Sequence, residues 1–195
     1  MPLYEQQKNM TFLIEPTTER LLLRQWRDTD IARFGKINAD PKVMEYFPST
    51  LSEEESQTMA QKIRSRIERN GWGFWAVESI SDKEFLGFIG LNEPDYQLPV
   101  SPCIEVGWRL GTEYWGNGYA TEAAKKCLEV GFDTLNFSEI YAFTPVSNNR
   151  SRAVMVRIGM KNTFSNFEHP LVPEAHKLRE HVLYKITKDN WAGGV

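Results

Sequence analysis

Cysteine is nearly absent: Cys103 and Cys127 are the only two in 195 residues, both lie in apolar stretches, and they form no paired spacing. A disulfide framework or a thiolate metal site is thereby excluded, and both read as buried thiols of a reducing cytoplasm. Histidine is scarce too. His169, His176 and His181 all fall in one short tail without ligand spacing around them, so no metal is expected. No stretch reaches the roughly 18 apolar residues of a membrane span, and residues 1–11 are polar, without the apolar run of a leader peptide. Nor is there an excess of basic charge. Lys and Arg total 23 against 26 Asp and Glu, a net charge of −3, which argues against nucleic acid as the partner and favours cationic substrates. Internal repeats and low-complexity linkers are also missing. One domain over 1–195 follows, with residues 1–15 a loosely packed N-terminal segment.

What is present is an ordinary globular mixture, 41% hydrophobic and 25% charged, enough to bury a sizeable core. Residues 20–26 read as a buried strand, after which Asp28, Thr29 and Asp30 offer N-cap side chains to a helix ending before Pro41. Ser52 and Glu55 have capping-box spacing and open a second helix that stops at Asn70-Gly71. Residues 73–78 and 84–92 alternate as antiparallel strands, joined through Ser81-Asp82-Lys83. Residues 104–110 form the next strand. The spacing then predicts a helix over 116–135, with Ala120, Ala124, Cys127, Leu128, Gly131 and Leu135 on one packed face. A strand at 140–143, a helix at 150–158 stopped by Gly159, and strands at 160–167 and 180–186 complete an α/β chain.

The informative stretch is Glu105-Val106-Gly107-Trp108-Arg109-Leu110, followed by Trp115-Gly116-Asn117-Gly118-Tyr119-Ala120-Thr121. A strand feeds a glycine loop that opens a helix, and a helix start binds anions because its first N–H groups are free and its dipole favours negative charge. Gly-x-Gly by itself is compatible with an ordinary turn. A phosphate loop of the Gly-x4-Gly-Lys type is absent, and a dinucleotide fingerprint would need a glycine where Thr121 stands.

Two motifs in order carry more. Trp115 to Ala120 is similar to the Gln/Arg-x-x-Gly-x-Gly/Ala signature of the GNAT acetyltransferases, with Trp115 departing at its first position. Asn148-Asn149-Arg150-Ser151, leading to Ile158-Gly159-Met160, is similar to that family's second signature. Over nearly its whole length the chain resembles that family, and within it the branch that includes the ribosomal-protein N-terminal acetyltransferases. The resemblance implies an α/β GNAT fold with a mixed, mostly antiparallel, seven-stranded sheet, splayed in the middle and flanked by helices on both faces. It implies acetyl-CoA as cosubstrate and an amine, such as a protein N-terminus or a small molecule, as acceptor. It also implies that the loop from Trp115 through Gly116, Asn117, Gly118, Tyr119 and Ala120 to Thr121 holds the pyrophosphate. Trp108, Arg109 and Leu110 pair with the pantetheine arm, and Asn148 contacts that arm or fixes its loop. Ser151 lies near the thioester sulfur.

An amine is protonated at neutral pH and needs a base. Glu105, a carboxylate among apolar strand residues and on the same strand face as Gly107 and Arg109, is the candidate, with an ion pair to Arg109 as the structural alternative. The second motif's tyrosine acid is replaced by Met155, which moves the donor role to Ser151 or to solvent. His169 and His181 are alternative bases, and Tyr46 and Phe47 are candidate acceptor contacts. Direct transfer in a ternary complex is expected, Cys103 being the one residue near Glu105 able to argue for a covalent route. A longer acyl group or a non-catalytic acyl-CoA sensor fits the same pattern, and residues 94–102 shape either the donor pocket or a homodimer contact.

Overall fold

The computed structural model describes residues 12–192, so residues 1–11 of the expected N-terminal segment lie outside it. Of residues 12–15, Phe12 is exposed and Ile14 is tied to the body of the protein. The Ile14 N–H donates to the Gly71 carbonyl at 2.8 Å, and the Ile14 carbonyl accepts the Trp75 indole N–H at 2.7 Å.

The chain runs β1 (Leu21–Arg24), α1 (Ile31–Ala39), α2 (Glu53–Asn70), β2 (Phe74–Ser79), β3 (Phe85–Asn92) and β4 (Glu105–Leu110). It continues through α3 (Tyr119–Glu129), β5 (Glu139–Pro145), α4 (Asn149–Arg157), β6 (Lys161–Asn162), β7 (Phe167–Glu168), β8 (Glu180–Thr187) and α5 (Lys188–Ala192). One sheet holds the strands in the order β1-β2-β3-β4-β5-β8-β6, with β7 also on β8. Every pairing is antiparallel except β4 with β5.

This is the expected α/β arrangement with one strand more than seven. The surplus arises where the single strand expected over 160–167 is cut in two. Phe164 there takes a left-handed backbone, φ 58°, which ends one ladder before the next begins. The helix expected over 116–135 is α3 followed by one wide turn, Val130–Thr134, of π type. That turn seats Gly131 directly on the sheet: a Cβ there would lie 2.6 Å from Ile140 Cδ1 and 3.3 Å from Leu91 Cδ1.

α2 starts and stops as its ends dictate. The Ser52 side chain accepts from Glu55 N–H, the Glu55 carboxylate accepts from Ser52 N–H, and Gly71 closes the helix at φ 80°. α1 departs from expectation, because no side-chain cap forms at its start. Asp28, Thr29 and Asp30 make a 3-10 turn instead, and the Asp30 carboxylate is drawn inward to Arg24.

The core has two faces. On one, Phe34 of α1 meets Phe88 of β3 with ring centroids 6.0 Å apart, and Arg109 of β4 reaches toward α1 and α2. On the other, buried Ala123, Ala124, Cys127 and Leu128 let α3 lie close to the sheet. Helices therefore cover both faces.

Candidate active site

β4 and β5 run parallel and are in register only at Glu105 opposite Tyr141. Beyond that pair they diverge, while β4 stays paired with β3 through Leu110. The result is a wedge whose apex is Glu105 and whose β4 wall is Val106–Leu110, a bare strand edge with the hydrogen-bonding pattern of a missing neighbour.

The glycine loop lies at the open end of β4. The Trp115 indole N–H donates to the Leu110 carbonyl at 2.9 Å, pinning the loop to the strand. Asn117 Nδ2 donates to the carbonyls of Tyr114 at 3.2 Å and Trp115 at 3.3 Å, which stiffens it. Gly116 and Gly118 have φ of 80° and 82°, the left-handed region that a side chain disfavours, and nothing lies within 4 Å of a Cβ built on Gly116. The glycines thus shape the loop as well as clearing its surface. α3 begins at Tyr119, so the N–H groups of Tyr119, Ala120 and Thr121 belong to a first turn without intrahelical acceptors. The one carboxylate in that turn, Glu122, is neutralised by Arg20 at 2.6 Å and accepts from Thr18 Oγ1 at 2.5 Å. These features fit an anionic pyrophosphate.

On the wedge's other wall, Asn148 caps α4. Its Oδ1 accepts from the Ser151 N–H at 3.1 Å, while its Nδ2 donates to Thr144 Oγ1 at 2.8 Å and Ser151 Oγ at 3.1 Å. Asn148 is buried and fixes the loop, and Ser151 stays half-exposed. Met155 is fully buried, so it offers no group to the wedge. Arg150 crosses the open end: it pairs with Glu45 and lies 4.3 Å from the Trp115 ring centroid and 5.6 Å from that of Tyr46.

Glu105 does not pair with Arg109. Its Oε1 accepts from Asn92 Nδ2 at 2.6 Å, and Asn92 Oδ1 in turn accepts from Arg66 of α2. Asn92 and Arg66 were not legible as site residues. Burial pushes the Glu105 carboxyl up, against the opposing pull of Asn92 and Arg66, to about 7. Cys103 lies close by, and burial together with the Glu105 charge pushes its thiol up to about 11. A thiol held protonated is a poor nucleophile.

His169 and His181 stack at 4.7 Å inside a box that includes Phe143, Phe167 and Tyr96. Burial lowers both, His169 to about 4 with help from His181, so both are neutral at pH 7. His176 stays apart on a turn, where its Nδ1 accepts from the Leu178 N–H. Tyr96 is placed near Glu105, whose charge adds to the burial that raises the phenol.

A splayed parallel pair with a glycine loop and helix start at its mouth defines a class of acyl-transfer folds. Comparison with known proteins agrees with it: the model of the GNAT acetyltransferase domain matches residues 20–161, and the chain belongs to that family. It is 32% identical over 144 residues to the uncharacterised protein YkkB of Bacillus subtilis, covering 73% of this chain and 83% of that one. It is 29% identical to the FsC-acetyl coenzyme A-N(2)-transacetylase of Aspergillus fumigatus, over 80% of this chain and 68% of the relative. Among solved structures, a GNAT-family acetyltransferase from Bacillus anthracis superposes with a TM-score of 0.74 at 25% identity, covering 90% and 99% of the two chains.

Proposed function

We propose that the chain transfers the acetyl group of acetyl-CoA to an amine by direct attack within a ternary complex, with Glu105 as the base. The observation that carries this reading is a half-buried carboxyl, raised to about 7, at the apex of the wedge. A base titrating near the working pH accepts a proton readily and is still ionised in a useful fraction of molecules. The donor arm lies along the β4 edge at Trp108, Arg109 and Leu110, with its pyrophosphate on the loop from Gly116 to Thr121. The acceptor enters from the face that carries α1 and α2.

The step balances. Glu105 takes a proton from the ammonium, directly or through water. The freed amine attacks the thioester carbon, a C–N bond forms, the C–S bond breaks, and the second proton that the nitrogen sheds on becoming an amide passes to the departing sulfur, the Glu105 proton going to water. The departing thiolate needs little help because thiol pKa values lie near 8.5, and the Ser151 hydroxyl, oriented by Asn148, is the nearby donor. The raised Cys103 thiol favours this route over an acyl-cysteine.

Within the family we assign the chain, by sequence kinship and not by acceptor, to the branch that includes the ribosomal-protein N-terminal acetyltransferases, on its Tyr-Trp-Gly-x-Gly-Tyr-Ala-Thr motif, residues 114–121. Calorimetric titration with acetyl-CoA, free CoA and NAD tests the donor. Micromolar binding of both CoA species with NAD silent is expected, and silence from CoA overturns the assignment.

A further inference from the structure

Arg109 is 8% exposed, yet among the described residues it has no carboxylate partner. Its Nη1 donates to Asn38 Oδ1 at 2.7 Å and approaches Met59 Sδ at 3.7 Å, and its Nε has no hydrogen-bond partner. The Asn38 amide is fixed from behind, since its Nδ2 donates to Ser56 Oγ at 3.1 Å, so Oδ1 is turned toward the guanidinium. Phe47, 38% exposed, forms the outer cover, its ring centroid 4.2 Å from the guanidinium carbon. An isolated buried cation is costly unless something pairs with it. Here the orientation is fixed and the counter-charge is missing.

The surroundings say what kind of molecule would bring it. Glu105 and Arg109 share one face of β4, four residues and so roughly 13 Å apart along the strand. Between them stands Gly107, and Gly90 is its partner on β3. With no side chain at either glycine, the Phe74 ring lies across the gap, 3.1 Å from where a Gly107 Cβ would be. The strand face therefore reads carboxylate, apolar floor, guanidinium.

We propose that Arg109 binds a carboxylate on the acceptor, which makes the acceptor an ω-amino acid or a similarly spaced amino carboxylate, with its amine at Glu105 and its apolar chain over Phe74. This deepens, and rests on, the acetyl-transfer reading. The guanidinium supplies a forked, charge-assisted contact suited to a carboxylate.

The experiment measures binding and turnover separately, with 6-aminohexanoate, hexanoate and hexylamine as probes and wild type, Arg109→Gln and Asn38→Asp as proteins. Asn38→Asp keeps Arg109 in place but gives it an internal counter-ion, so a failure of Arg109→Gln to fold leaves the test intact. Calorimetry in the presence of CoA should show both carboxylates binding wild type, and both variants weakening them by roughly 10–100-fold while hexylamine is weakened far less. With acetyl-CoA as donor, wild type should favour 6-aminohexanoate over hexylamine in kcat/KM by a similar factor, and the ratio should fall to about one in the variants. Carboxylate binding that ignores both substitutions, or an absence of carboxylate binding to wild type, overturns the proposal whatever the turnover shows. Arg109-dependent carboxylate binding without acetylation of any probe would keep the anion site and sink the transferase reading instead. A wild-type preference for succinyl-CoA over acetyl-CoA that vanishes in Arg109→Gln would move the carboxylate to the donor and overturn its place on the acceptor.

Discussion

Two buried arginines, on strands of the same sheet, are treated in opposite ways. Arg24 on β1 is 3% exposed, and its guanidinium meets Asp30 at 2.7 Å and Glu78 at 2.7 Å, with Arg27 also on Glu78. Burial alone would pull Arg24 down, but the two carboxylates more than reverse it and its pKa is raised. Arg109 on β4 has only burial acting on it and falls to about 10. Where β1 and β2 join the 3-10 turn, charge is satisfied from within and serves the fold. Along β4, Arg109 has no carboxylate among the described residues and Glu105 is met by the neutral Asn92 amide instead of a cation, an imbalance in keeping with the substrate roles proposed for both.

The contrast between the two regions is tested most severely at Glu105. Glu105→Gln keeps the shape and removes the base, so kcat should fall by roughly 10²–10⁴-fold with acetyl-CoA affinity nearly unchanged. An unaltered kcat removes Glu105 from the mechanism. The same variant should be more stable than wild type at neutral pH. Because the folded carboxyl is raised from 4.5 to about 7, the folded state holds its proton more tightly, and wild-type stability declines as pH rises across that interval. The gain in Tm should therefore vanish near pH 4 and reach its full size above pH 7.

Arg24→Met is the counterpart. Leaving Asp30 and Glu78 buried without their cation should cost about 3–5 kcal/mol in urea unfolding while the folded fraction keeps its acetyl-CoA affinity. A loss of CoA affinity without a loss of stability would erase the division between the two regions. Gly116→Ala should cost about 1–2 kcal/mol through its left-handed backbone and weaken acetyl-CoA by up to roughly tenfold, both readable by calorimetry and thermal melts. The smallest effect is the most specific. Asn92→Leu removes the donor that favours the ionised Glu105, so the rise of kcat/KM with pH, expected near 7 in wild type, should move up by about one unit. An unmoved profile would mean Asn92 does not act through Glu105.

The fold was largely legible because its elements announce themselves locally. The capping box at Ser52, the left-handed stop at Gly71 and the alternation of β2 to β4 each depend on neighbours a few residues away. Departures occur where a contact made only in the folded chain, or a backbone turn, overrides the local preference. Asp30 reads as a helix cap in sequence, but Arg24 claims its carboxylate, and no local rule announces that pairing. The tail reads as one continuous strand in sequence because its apolar content does not reveal the left-handed turn at Phe164. The site divides in the same way. Gly116, Gly118, Asn148 and Glu105 are visible as motif residues, whereas the Asn92 and Arg66 support of Glu105 joins three separate elements. The isolation of Arg109 was hidden for a further reason: alternation shows which face a residue occupies, but not whether a counter-charge waits there.

Gly131 is the foot on which an 11-residue helix stands, and the other end of that helix, about 16 Å away, is the tip proposed to meet the pyrophosphate. A rod so mounted converts a small displacement at its base into a change of aim at its point. A single methyl group added at residue 131 would press on the ends of the buried Ile140 and Leu91 side chains, and the part of that crowding they cannot absorb by turning aside would be passed to the helix. Its first symptom would be a donor held askew, about 16 Å from the altered residue.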